Sequence, residues 1–535
     1  MKRKWRMQYS VALLLCMLLL TVTVGISAYA EDANTVKPDS WEELQQALAE
    51  GKNVKLDKDI VFTVEEGQAV TAASSALKVP KKVGDAECSV VLDLNGYTID
   101  RNLIQYAGND TEYSNPKQDG YVILVEGSLT LKDSSAAKTG KITGGYNSTV
   151  YGGGIGVKNG TLIMEGGIIE GNTAYYGGGV SVIGANARFE MVAGTIRYNA
   201  AVNGGNGGGI YVEDGKVVLR ENAVITENTS IYANGGGIYA CDEAEIEMNG
   251  GIISKNFANA SGGGIYLGTD SVAKLYGGEI VENKVWYKET TEGIWNPNKG
   301  AGVFCAGTVE PYTGGSAADD NSKIYLKGDI TVKDNVEVTG AAYAVKGIDN
   351  IYMQNHNDGK PEVMAVVGEL SGCIGILTEG GFAEGIAVIK GEEYTVTDAD
   401  AAVFFYDDKQ DAVIGTDGMT AIKKVQIPAA ADLLGKSETE VVDALKALGF
   451  NVEVRYESSN GEYVAGNVFK VEGAGQVLTI GSTVIVYVSN DIPQEPRILA
   501  RRWLVRSDFV LVSFEIPSPS ALKDSGSDRS YGYVS

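Results

Sequence analysis

The chain has 535 residues, 69 of them glycine, and a formal net charge of −24. That length is too great for one ordinary domain and suits a repeat array with attachments. The acidity argues against nucleic acid and anionic membrane as partners.

Residues 1–30 read as a secretory signal. Lys2, Arg3, Lys4 and Arg6 form the basic start, 11–24 the apolar run, and Ala28-Tyr29-Ala30 an A-x-A cleavage site. Cys16 lacks the small residues that would mark a lipoprotein. No later run is long enough to span a bilayer, so no membrane span is expected in the mature chain. Removing four basic residues and no acidic one takes the net charge to −28.

Residues 31–62 read as a leader with an N-terminal cap. Ser40-Trp41-Glu42-Glu43 has the spacing of a capping box, and Leu44, Ala47 and Leu48 continue as a helical stripe that Gly51 stops. Such a helix would cover the open edge of a first sheet coil. Val54-Lys55-Leu56 and Ile60-Val61-Phe62 read as first strands.

Between 140 and 307 the chain repeats itself. Each unit opens with a glycine triplet and an aliphatic residue, as in Gly177-Gly178-Gly179-Val180 and Gly235-Gly236-Gly237-Ile238. Each closes with Ile-x-x-Asn, giving Asn172, Asn199, Asn228, Asn256 and Asn283 at spacings of 27, 29, 28 and 27. No unit holds a long helical pattern, so each is one turn of a wound sheet. Successive turns stack about 4.8 Å apart as parallel strands. The isoleucines should then form an inward column and the asparagines a hydrogen-bonded column at a bend. The fold class expected is mainly β: a right-handed parallel β-helix over 63–423, with the hand of other parallel crossovers.

The Ile-x-x-Asn and Gly-Gly-Gly-Ile signals resemble the FxxN and GGAI repeats of bacterial polymorphic outer-membrane and pectin-lyase-like surface proteins. The resemblance covers roughly 85–420. It implies the fold strongly and an activity weakly. Two insertions interrupt the repeat, one after Asn283 with Trp286, Tyr287 and Trp295, the other over 308–320.

At 424 the grammar changes. Ser437-Glu438-Thr439-Glu440 is a second capping box, Val441, Val442, Leu445 and Leu448 share a helical face, and Gly449 sits where a helix ends. Alternating strands follow to 490, so 424–490 reads as a small α+β domain. Ile427-Pro428, Leu448-Gly449-Phe450, Gly466-Asn467-Val468 and Gly481-Ser482-Thr483-Val484 resemble the PASTA domain of penicillin-binding proteins and bacterial Ser/Thr kinases. That resemblance implies peptidoglycan as a partner. Lys470-Val471-Glu472-Gly473 departs from the family's Gln-Ser-Pro step and puts any contact made there in doubt. Residues 491–535 read as a linker and an irregular basic tail, or as a shifted reading frame.

The reading leans away from catalysis. His356, the only histidine, lies in a polar turn. No paired carboxylates are marked for sugar cleavage. Asp319-Asp320 reads as a solvated loop rather than a calcium site. Cys88, Cys241, Cys305 and Cys373 are far apart and read as single buried thiols, so neither metal nor cofactor is expected. Ligand binding falls instead to aromatics. In Gly-Gly-Gly-Ile-Tyr the Ile points inward and the Tyr outward, so Tyr211, Tyr239 and Tyr266 should stack as an exterior stripe with Phe304 the next rung. Trp286, Tyr287 and Trp295 lie on the interrupting loop. Flat rings beside polar side chains suit host or plant polysaccharide, whereas stacked rings that only support the sheet would bind nothing. The sequence therefore describes a secreted cell-wall protein. Its β-helix is an adhesin or glycan-binding stalk, with an extracellular polysaccharide lyase or glycoside hydrolase, or an inert spacer, as competing readings.

Overall fold

A computed structural model describes residues 34–63, 76–103, 120–286, 298–309, 318–319, 322–340, 342–356, 358–409 and 411–491. The signal sequence and nearly all of the basic tail fall outside them. The described chain forms two compact units that divide near residue 420.

The first unit is a parallel β-helix. Among the described residues, 26 strands join one sheet and eight a second. Apolar residues recur once per coil, so parallel pairing stacks like on like. One column runs Ile60, Ile99, Ile142, Ile169, Ile196, Ile225, Ile253, Ile280, Val332, Ile374 and Phe404. A second runs Ile155, Val180, Ile210, Ile238, Ile265, Val303, Ile351 and Ile376. Every member of both is buried. Burying such side chains contributes roughly 1.5–3 kcal/mol each before chain entropy is subtracted.

The β-helix begins earlier than residue 63. Val54 pairs with Leu92 and Ile60 with Ile99, so the leader strands are already rungs of the sheet. Helix α1, Trp41–Ala49, precedes them and buries Trp41, Leu44, Ala47 and Leu48. Its cap differs from the expected reciprocal box. The Ser40 hydroxyl accepts from the Glu43 amide, but the Glu43 carboxylate accepts from the Asp39 amide rather than that of Ser40.

The asparagines form a continuous buried ladder. Each Nδ2 donates to the Oδ1 one coil on: Asn172 to Asn199 at 3.1 Å, Asn199 to Asn228, Asn228 to Asn256 and Asn256 to Asn283 at 3.0 Å. The same Oδ1 accepts the backbone amide of the preceding asparagine, as Asn228 Oδ1 does from Asn199. The ladder outlasts the sequence period, continuing from Asn283 to Asn335 and on to Asn350. It ends on a carboxylate. Asp407 accepts the Asn350 backbone amide and Nδ2, each at 2.7 Å. Beside this end, Asp349 is fully buried. Its Oδ2 accepts the Gly300 amide at 2.7 Å, while its Oδ1 has no hydrogen-bond partner.

In the second unit, helix α2 (Glu438–Ala447) is held by the expected capping box, in which Ser437 and Glu440 bond reciprocally. Gly449 follows with φ 87°. Strand Thr483–Ser489 lies between Asn451–Glu457, parallel to it, and Val468–Val471, antiparallel. Ile427, Leu433, Val441, Leu445, Phe450 and Val486 are among its core residues. The Asp491 carboxylate accepts from the Ser459 and Gly461 amides.

Candidate functional site

The predicted tyrosines stack, with a consequence that differs from an exposed stripe. Tyr211, Tyr239, Tyr266, Phe304 and Tyr352 are register partners on successive coils. Their ring centroids lie 5.5, 4.9, 4.9 and 5.5 Å apart, with interplanar angles of 4–16°. Ring therefore covers ring, and the faces a sugar would use are occupied within the column. Tyr211 is 5% exposed and Tyr352 3%. Burial pushes the phenols of Tyr211, Tyr239 and Tyr352 above the ordinary range. The glycine triplets make room for this stack. Gly235 has φ 68°, and a Cβ there would lie 2.6 Å from the Tyr239 Cβ.

At the N-terminal end of the column Ser181 and Gly156 replace aromatics. Tyr176 and Tyr151 close over Tyr211 instead, with centroids 4.7 and 5.6 Å away. The Tyr211 hydroxyl donates to Glu213 at 2.8 Å and contacts Cys241 Sγ at 3.4 Å.

Trp286 stands elsewhere, on the second sheet. Its strand, Lys284–Trp286, pairs with Val336–Thr339. Tyr287 and Trp295 lie outside the described residues. Phe257 and Tyr343 join Trp286, with centroids 6.4 Å (Phe257–Trp286), 5.6 Å (Phe257–Tyr343) and 5.9 Å (Trp286–Tyr343) apart, at 85–89°. In edge-to-face packing the edge of one ring meets one face of its partner, so each contact occupies a single face. Tyr343 is 50% exposed, as are its neighbours Val345 (66%) and Ile348 (50%) on the hairpin strand Ala344–Ile348. Asn298 Nδ2 donates to the carbonyls of Trp286 and Asn259, fixing the base of the cluster. Phe257 had a sequence signal, since it follows Asn256 directly. Tyr343 had none, because it lies beyond both insertions.

The only histidine is not a solvated turn residue. His356 Nε2 lies 2.6 Å from the Glu362 carboxylate, and both side chains are largely buried. They line a cleft of about 680 Å³ with Lys360, Val363, Ile386 and Met419. A histidine–carboxylate pair can orient an imidazole for proton transfer.

On the second unit, the residues that depart from the PASTA pattern build a surface cluster. The Tyr487 hydroxyl donates to Glu472 at 2.6 Å, and the Lys470 ammonium sits 4.2 Å from the Tyr487 ring centroid. Residues 429–490 match the PASTA domain family. No curated protein and no solved structure is significantly similar to the chain. The β-helix is thus supported by its own register and the C-terminal unit by family as well. A PASTA domain points to a protein associated with the cell wall.

Proposed function

We propose that this PASTA-bearing chain is a secreted cell-surface protein whose C-terminal domain holds it on peptidoglycan while the β-helix presents a glycan-binding surface. The observation that carries the reading is the PASTA match at 429–490, on a unit with its own core. The signal-like residues 1–30 and the acidic surface agree with an extracellular address. The glycan contact is the aromatic cluster of Phe257, Trp286 and Tyr343, with Tyr287 and Trp295 next to it in sequence. The tyrosine column supports the sheet behind it.

The test is co-sedimentation with purified peptidoglycan sacculi, using 31–423 and 424–491 separately. The small domain should sediment and the β-helix should stay in solution. If the small domain stays in solution, wall anchoring fails. The His356–Glu362 cleft favours one competing reading, a polysaccharide lyase or glycoside hydrolase. Release of new reducing ends or unsaturated products from plant or host polysaccharide would replace the binding reading with that one.

A further inference from the structure

The structure brings a thiol and two carboxylates together where the sequence shows no metal spacing. Glu213 and Cys241 are 28 residues apart, one coil, and are direct register partners on adjacent parallel strands. Asp242 follows Cys241 at the strand end, with φ 55°. One ligand atom from each of the three lies within 4.8 Å of the other two. We propose that Glu213, Cys241 and Asp242 form a site for one thiophilic divalent cation of the zinc class.

Three features support it beyond the convergence. First, the donor set is mixed. A thiolate with carboxylates selects zinc-like ions over calcium or magnesium, which take oxygen ligands. Second, no described ion pair supplies the site with a cation. Among the described residues no lysine or arginine ion-pairs with Glu213 or Asp242. A bound cation would satisfy all three groups at once. Third, the site is held on one side and open on the other. Cys241 is 6% exposed, Glu213 is half-buried and Asp242 is exposed. The hydroxyls of Tyr211 and Tyr151 bond the Glu213 carboxylate at 2.8 and 3.2 Å and so orient it.

Binding converts the Cys241 thiol to a metal-bound thiolate and releases its proton to solvent, so affinity rises with pH.

The experiment strips the full chain with chelator and titrates it with Zn²⁺, then with Co²⁺ as an optical probe. One Zn²⁺ per chain, proton release, and a thiolate-to-Co²⁺ charge-transfer band are expected. Cys241→Ser should abolish the band and weaken Zn²⁺ binding at least tenfold. Because Cys241 is buried, Asp242→Asn serves as the second variant. It alters an exposed side chain, and it should also weaken Zn²⁺ at least tenfold while keeping the Co²⁺ band. Absence of zinc uptake by the unmodified chain overturns the proposal. So does an Asp242→Asn variant that binds Zn²⁺ as the unmodified chain does.

Discussion

At the scale of single residues, the ladder's terminal carboxylate is the most informative group. Both Asp407 oxygens face N–H donors, which favours the ionised form. Burial outweighs them and raises its pKa from 3.8 to about 7. Burial likewise holds Asp349 well above the carboxylate range, with Lys299 opposing and Glu337 and Asp407 adding to the shift. Each group binds its proton more tightly folded than unfolded. For Asp407 that contribution to stability is therefore complete below 3.8 and is lost as pH rises through about 7, and for Asp349 the sign is the same. Other carboxylates pull the opposite way; Glu247, for example, is lowered to about 2, chiefly by hydrogen bonds from Asn249 and Lys216. The test is thus a difference. Thermal midpoints of the unmodified chain and of Asp407→Asn are compared between about pH 5 and pH 8. The gap between them should change with pH, with the unmodified chain losing relative stability as pH rises. A pH-independent gap would refute the assignment.

At the scale of elements, two aromatic groups make opposite predictions. Tyr239 is a rung between two stacked rings, so Tyr239→Ala should lower stability by about 3–5 kcal/mol. It should leave glycan binding intact. Trp286→Ala with Tyr343→Ala removes half-exposed rings and should cost less stability but weaken binding on a glycan array by tenfold or more, about 1.4 kcal/mol. Loss of binding with Tyr239→Ala alone, in folded protein, would return the site to the column. The same contrast shows what the sequence can carry. Outward alternation after Gly-Gly-Gly-Ile was legible and gave the stack of Tyr211, Tyr239 and Tyr266. The burial of Tyr211 was not, because alternation fixes direction and says nothing about what lies alongside. The asparagine column was legible to Asn283. Asn335, Asn350 and Asp407 were not, since the insertions break the period while coil pairing restores the position. Glu213 and Cys241 escaped notice for a related reason: metal motifs are sought at short spacings, and here neighbours are one coil apart.

At the scale of the whole molecule, a repeat array and an independently cored unit share one chain. The small unit was legible in nearly every local feature, from the Ser437–Glu440 box to Gly449. The contact made by Asp491 was not, because it depends on hydrogen bonds back to Ser459 and Gly461 some thirty residues earlier.

The direction of the backbone bonding has a mechanical consequence. Coil pairs with coil through parallel ladders and through the asparagine amides, and all these bonds run along the axis of winding. A load applied at the two ends of the β-helix therefore opens one coil interface at a time instead of shearing many together. A coil of 27–29 residues releases about 90–100 Å of extended chain. Under such a load the β-helix would yield in steps. Optical-trap extension of 31–423 should show a sawtooth whose smallest increments have that size, with larger ones where a coil carries extra residues, as between Ile280 and Val332; a single rupture releasing the whole length would mean that the coils fail together.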